Sequence, residues 1–288
     1  MCSRASLSML LVILWVTVPA AGFTQDQSLA TSADLEEEKL EQDFTDPLTT
    51  LPQVTVRDAF SPATYGTHVQ TNQAIVRPII PRIPPNTLLP FTQLIRPTFQ
   101  LVTVPSSRGG SRTEFGDIAV FDLAVLPWGK KYGLSLAVGP AFVFPTATSR
   151  SAGDGAWQFG PAFGAIDTGI PGVLAGFIVQ NPVSFAYTAR NAVPENTLSI
   201  QPVLAVHLWG KWYLRSAEAT WNMGWRRHAP TTIPLSLGIG RTFVRPGLPP
   251  MSFFAGGQWM IYRQFAPIAP QTTINFGMTV AFPQLRAW

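Results

Sequence analysis

Three histidines, His68, His207 and His228, are the side chains here best suited to moving a proton near neutral pH. With a serine and a carboxylate brought close by the fold, His207 or His228 could act as the base of a membrane-embedded lipid hydrolase. No pair of the three has metal-ligand spacing, no Gly-rich phosphate loop opens a helix, and no local nucleophile motif accompanies them. The residues therefore call for no metal and no cofactor. A second set of polar residues suits a different task. Asp117, Gln158, Gln201, His207, Glu218, Arg241, Gln258 and Asn275 fall in otherwise apolar or small-residue segments, where they are candidates for lining a solute path. The competing reading for each is a polar contact that only fills an interior.

What would position them is a set of strands with two unlike faces. Leu198, Ile200, Pro202, Leu204, Val206 and Leu208 alternate with Thr197, Ser199, Gln201, Val203, Ala205 and His207. Ile274, Phe276, Met278, Val280 and Phe282 alternate with Thr273, Asn275, Gly277, Thr279 and Ala281, and 133–144 and 252–261 alternate in the same way. One face is bulky and apolar, the other small or polar, over about the ten residues a tilted membrane strand needs. The pattern predicts strands at 53–60, 69–80, 95–104, 115–126, 132–144, 157–166, 173–185, 197–208, 212–223, 234–243, 251–262 and 272–282. The expected fold is all-β, a transmembrane antiparallel up-and-down barrel of about twelve strands. Small inward residues leave space, which favours a channel over a packed interior.

Composition points the same way. Only 12% of residues are charged and 46% are hydrophobic, with nine Trp. A soluble domain has about twice that charge content. Gly (23) and Pro (27) disfavour a helical protein. Arg4, the apolar run Leu7 to Val18 and the small residues Ala20, Ala21 and Gly22 read as a signal peptide, 1–22. After Thr24 every apolar stretch is too short for a membrane helix, so a membrane-embedded mature chain must close into a barrel. Residues 23–47, with Asp34, Glu36, Glu37, Glu38, Glu41, Asp43 and Asp46 against Lys39, read as an acidic periplasmic tail or linker, with spacing that allows a short helix. The barrel is assigned to 48–288. From Pro47 on, 18 Lys and Arg stand against 8 Asp and Glu. Contact with lipid phosphates or an anion-attracting pore would account for that excess. No nucleic-acid motif accompanies it.

Leu126-Pro127-Trp128-Gly129-Lys130-Lys131-Tyr132 resembles Leu208-Trp209-Gly210-Lys211-Trp212-Tyr213, and each joins an even to an odd strand. With both termini periplasmic, these are periplasmic turns, where Trp and Tyr suit the interface. Pro140, Pro161, Pro182 and Pro202 recur about every 20 residues in four successive strands and read as bulges or bends. In the last strand, Gly277, Val280 and Phe282 resemble the C-terminal signal read by the outer-membrane barrel-assembly machinery, although Pro283 to Trp288 follow and Trp288 competes as the terminal aromatic.

The stretch Val138-Gly139-Pro140-Ala141-Phe142-Val143-Phe144-Pro145-Thr146-Ala147-Thr148-Ser149, followed by Gly153-Asp154-Gly155-Ala156-Trp157-Gln158-Phe159-Gly160-Pro161-Ala162, resembles a group of outer-membrane barrels regarded as transporters and related to those encoded with phenol-degradation pathways. Phe115-Gly116-Asp117-Ile118 and Asn181-Pro182-Val183 resemble further signatures of that group. The resemblance spans roughly Asp46 to Phe282 and implies an outer-membrane location and passage of a small-molecule solute, hydrophobic or anionic. The partners expected are outer-membrane lipid, the assembly machinery and the solute, with the barrel a monomer or homo-oligomer. The alternatives are a plugged structural or surface-binding barrel, the lipid hydrolase, and a secreted soluble β-sandwich. Bulky apolar outer faces speak against the sandwich.

Overall fold

The computed structural model describes residues 32–67, 69–83, 91–105, 110–188, 192, 194–245 and 247–285. The expected signal peptide, His68 and Trp288 lie outside the described residues. One helix, α1 (Ser32–Thr45), precedes the strands. The strands are β1 (Gln53–Thr64), β2 (Thr71–Ile83), β3 (Thr92–Pro105), β4 in two halves (Ser111–Phe115 and Ile118–Leu126), β5 (Leu134–Phe144) and β6 (Ala156–Asp167). They continue with β7 in two halves (Val173–Gln180 and Val183–Tyr187), β8 (Thr197–His207), β9 in two halves (Trp212–Arg215 and Trp221–Gly224), β10 (Thr231–Phe243), β11 (Met251–Gln264) and β12 (Pro270–Ala281). Each pairs antiparallel with its chain neighbours, and β12 pairs with β1 to close a twelve-stranded barrel. Closure leaves no unpaired edge, which an apolar solvent requires.

The expected faces are the observed ones. On β12, Ile274, Phe276 and Met278 are exposed while Asn275, Thr279 and Ala281 are buried. On β10, Leu235, Leu237 and Ile239 are exposed while Gly238, Gly240 and Thr242 are buried. Trp128, Tyr132, Trp209 and Trp212 ring the end that carries the short turns, all exposed. The two longest connections, 145–155 and 188–196, belong to the other end. These two ends are called the turn end and the loop end below.

Three strands are interrupted. β4 breaks at Gly116-Asp117, β7 at Asn181-Pro182 and β9 over residues 216–220. The proline row has a mixed origin. Pro182 falls in the β7 break, where its missing N–H costs the ladder nothing. Pro140 and Pro161 sit opposite each other in the β5–β6 register, and Pro202 lies opposite Phe177 on β7.

The interior is not uniformly open. Near the turn end, Ile79, Leu94, Leu123, Val125, Ala137, Ala162, Ile166, Leu174, Ile178 and Ala205 pack into one apolar cluster, and Leu48, from the segment after α1, joins it. Phe44 and Leu51 pack on Ala281 with Leu40 beside them. The segment is held by short polar links. Thr49 Oγ1 donates to Asp43 Oδ1 at 2.7 Å, and Leu48 N–H donates to Asp46 Oδ1 at 2.8 Å. Leu48 is seated against Gly164, where an added Cβ would come within 2.9 Å of it. The described part of the acidic segment is thus the short helix its spacing allows, and its last turn docks in the barrel mouth. Leu40 and Phe44 in this segment, with Leu48 and Leu51 just beyond it, are apolar, and their burial offsets the cost of ordering it.

Candidate functional site

The site begins with the break in β9. Residues 216–220 leave the ladder and turn inward, Ala217 and Ala219 are buried, and Glu218 takes a left-handed backbone, φ 53°. The bend is tied down at several points. Ser216 N–H donates to the Leu204 carbonyl at 2.8 Å, Ala217 N–H donates to Ser236 Oγ at 3.1 Å, and Gln258 Nε2 donates to the Ala217 carbonyl at 2.6 Å. Gly238 and Gly256 lie under the bend. A Cβ at Gly256 would come within 2.7 Å of the Leu237 carbonyl oxygen, 2.8 Å of the Gly238 Cα and 2.9 Å of the Ala217 methyl, so a larger residue there would collide with the β10 backbone and with the bend.

The bend delivers Glu218 to three arginines. Glu218 Oε2 is 2.8 Å from Arg77 Nη1 and 3.4 Å from Arg57 Nη1, and Oε1 is 3.1 Å from Arg215 Nη2. Arg57 comes from β1 and Arg77 from β2, so the carboxylate reaches across the lumen rather than along one wall. A fourth, Arg96 on β3, is 4% exposed, makes no ion pair among the described residues, and lies over the Phe121 ring at 4.6 Å from its centroid. Arg215 stacks similarly on Phe254. The Nε atoms of Arg57 and Arg96 are buried with no hydrogen-bond partner. Four guanidinium groups thus surround one carboxylate. Such an excess of buried positive charge is electrostatically complementary to an anion.

Three connected spaces follow the lumen through this constriction. At the loop end a vestibule of about 760 Å³ is lined by Arg57, Gln73, Glu218, Gln258, Met260 and Asn275 among others. A middle chamber of about 240 Å³ shares Arg57 and Gln73 with it and adds Arg77, Arg96, Gln180 and Gln201. Beneath the docked segment only about 50 Å³ remains, between Asp46, Arg77, Arg96, Gln201 and Arg215.

The sequence candidates fall into four places. Glu218, Gln201, Gln258 and Asn275 line these spaces, and the Asn275 amide, 1% exposed, has no hydrogen-bond partner on either atom. Asp117 and Gln158 belong to a loop anchor. Asp117 Oδ1 accepts from Ala147 N–H at 3.0 Å, its Oδ2 accepts from Asp154 N–H at 2.8 Å, and Gln158 Nε2 donates to Asp154 at 2.9 Å. Burial raises the Asp154 pKa, opposed by Gln158 and helped by the charge of Asp117. Both candidates therefore hold residues 145–155 over the loop end instead of lining the spaces above. His207 touches the docked segment, with Nε2 3.3 Å from the Glu41 carbonyl oxygen and 3.4 Å from Thr45 Oγ1. Arg241 is corrected outright. It is exposed on the outer wall between buried Gly240 and Thr242, its guanidinium 5.4 Å from the Trp212 ring centroid and 5.3 Å from that of Phe243. An arginine at the turn-end rim can reach headgroups while stacking on interfacial rings. Of the assembly-signal residues, Gly277 leaves room for the Phe254 ring, Val280 lies in the β12–β1 ladder, and Phe282 N–H donates to the Pro52 carbonyl at 2.8 Å, extending the closing seam.

Arg57, Arg77 and Arg96 escaped the sequence reading. They lie roughly one strand-plus-turn apart; Arg77 stands between Val76 and Pro78 and Arg96 between Ile95 and Pro97, while Arg57 follows Val56 and precedes Asp58. That recurrence was the available signal.

A closed antiparallel barrel with bulky apolar residues outside and charged residues within has the architecture of an outer-membrane barrel. Among solved structures the chain is similar to an outer membrane channel from Pseudomonas putida F1, with a TM-score of 0.56 and 11% identity over 83% of this chain and 98% of that one. It is also similar to the KdgM porin, with a TM-score of 0.45 and 5% identity over 80% of this chain and 99% of the porin. No family model matches the sequence, and no curated protein matches it. What is shared is therefore the fold: the twelve-stranded outer-membrane barrel.

Proposed function

We propose that the protein is a passive channel of the outer membrane for small anionic solutes. One observation carries the reading: Arg57, Arg77 and Arg215 pair with one carboxylate, Glu218, inside the lumen, and Arg96 beside them makes no ion pair among the described residues. A ring of guanidinium groups in a low-dielectric wall concentrates anions and repels cations. The test is the reversal potential of the purified protein in a planar bilayer across a KCl gradient. The expected sign is that of chloride selectivity, and a cation-selective or sealed barrel would overturn the proposal. In this reading residues 1–22 direct export and are removed, and Gly277, Val280 and Phe282 hand the chain to the assembly machinery. The barrel then works as a monomer or homo-oligomer. The motifs around Pro140 and Pro161 support kinship with the barrels related to phenol-degradation pathways. A mobility shift between boiled and unboiled outer-membrane fractions tests the location.

The 50 Å³ space under the docked segment supports a second reading, a barrel that is plugged and serves through its surface loops. Conductance of the full-length chain, compared with a chain lacking residues 32–47, separates the two.

A further inference from the structure

We propose that the middle chamber is a binding site for a small hydroxylated carboxylate, an acid group joined to a few hydroxyl-bearing carbons. This names a solute class for the channel proposed above and so rests on that reading. The acid end is set by Arg96. Its guanidinium is buried, makes no ion pair, is held in plane by Phe121 and keeps an unpartnered Nε. Arg77 beside it is fixed by Glu218 and by Thr98 Oγ1, at 3.2 Å from its Nε. Among the described residues no carboxylate lines this chamber, although three arginines do. A planar guanidinium lacking a protein acceptor matches the two oxygens of a carboxylate.

The hydroxyl-bearing part is read from the amides. Gln73 and Gln100 are bonded to each other, with Nε2 of the first donating to Oε1 of the second at 2.6 Å. Gln180 and Gln201, facing the same space from β7 and β8, have no side-chain hydrogen bond among the described residues, so each offers a donor and an acceptor to an occupant. Ser199 Oγ donates to Asn222 Oδ1 at 2.7 Å and retains acceptor capacity towards the chamber. Chloride would satisfy the guanidinium but leave both amides idle, and an aliphatic acid would set methylenes against them. The chamber of about 240 Å³ holds roughly eight waters at ~30 Å³ each, a space suited to a compact solute rather than a chain.

The test is calorimetric titration of the folded full-length protein in detergent with three six-carbon probes: gluconate, hexanoate and sorbitol. Saturable binding is expected for gluconate, at least about tenfold weaker binding for hexanoate because the amides would face methylenes, and none for sorbitol. R96Q is expected to weaken gluconate by at least about tenfold. Q201L is expected to bring gluconate down towards hexanoate while leaving hexanoate unchanged. Equal binding of gluconate and hexanoate, absence of both, or indifference to both substitutions overturns the proposal. If R96Q fails to give the heat-shifted folded band, Q201L and Q180L decide, since neither removes a buried charge. Gluconate binding to a barrel that carries no current supports the site and defeats the channel. Chloride-selective current without gluconate binding defeats the site and leaves the channel standing.

Discussion

Removing the single carboxylate of the constriction should both destabilise the barrel and sharpen its anion preference. Glu218 holds Arg77 at 2.8 Å, Arg215 at 3.1 Å and Arg57 at 3.4 Å, with every side chain in the set at least four-fifths buried. At an effective dielectric of ~20, a charge pair about 3 Å apart is worth about 5 kcal/mol before desolvation. Desolvating the carboxylate takes back several kcal/mol, so the net stabilisation is far below the sum of three pairs. Breaking such a set from one side is worse than neutral, because the remaining charges stay buried without a partner. E218Q is therefore expected to lose about 3–5 kcal/mol in urea unfolding from lipid vesicles. The double variant E218Q/R77Q should lose less than the two single losses added together, because part of each is the same interaction. Chloride should stabilise E218Q more than the parent protein, since an anion bound only to the folded state contributes RT ln(1 + [L]/Kd). An E218Q barrel as stable as the parent, with an additive double variant and no chloride effect, would refute the reasoning and make the contacts incidental surface pairs.

Other outcomes follow from the same geometry. L51A removes a side chain with 0% exposure from the docked segment and should cost that docking about 2–5 kcal/mol, seen as larger single-channel conductance with the barrel still heat-shifted. Burial pushes the Asp46 pKa up to about 7, with the Leu48 N–H opposing and Asp43 adding to the rise. A carboxyl raised on docking favours the docked state below its free value near 3.8, and that advantage is lost as pH rises to about 7, so conductance should increase over that window and D46N should be flat. D117A removes the acceptor of two backbone N–H groups, at 3.0 and 2.8 Å, each such bond worth about 1.5–3 kcal/mol locally. Residues 145–155 should then be cut by protease in vesicles faster than in the parent, with β-content unchanged. R57Q should shift the reversal potential towards zero without sealing the pore, since three guanidinium groups remain.

The strands were legible because lipid imposes a rule on every one of them. A wall that is apolar outside and accessible inside forces alternation, and alternation survives in a single sequence. Ile274, Phe276 and Met278 could not face water, nor Asn275 lipid, without penalty, so the parity of β12 follows from residue type alone. The docked segment obeys no such rule. Leu40, Phe44, Leu48 and Leu51 keep a helical spacing, but the helix ends at Thr45 and that spacing does not say which surface receives them. Only the apolar patch around Ala281 and the notch at Gly164 show where they go.

Glu218 was legible as a lumen residue but its partners were not, and the break in β9 is why. Strand parity assigns a residue to a face, and a five-residue departure from the ladder erases the parity of everything inside it. Arg215 lies at the edge of that departure, so alternation alone left its side open. Arg57, Arg77 and Arg96 keep regular parity on three uninterrupted strands, Arg77 and Arg96 between apolar neighbours and Arg57 between Val56 and Asp58. Only closure of the sheet, which sets β1 four strands from β9 around the wall, brings three solitary cations and one displaced carboxylate to the same level. The constriction is thus a property of the barrel's circumference more than of any local motif. Filling Gly256 with a larger side chain, which meets the β10 backbone at Leu237 and Gly238 as well as the Ala217 methyl, should disturb it although no arginine is changed.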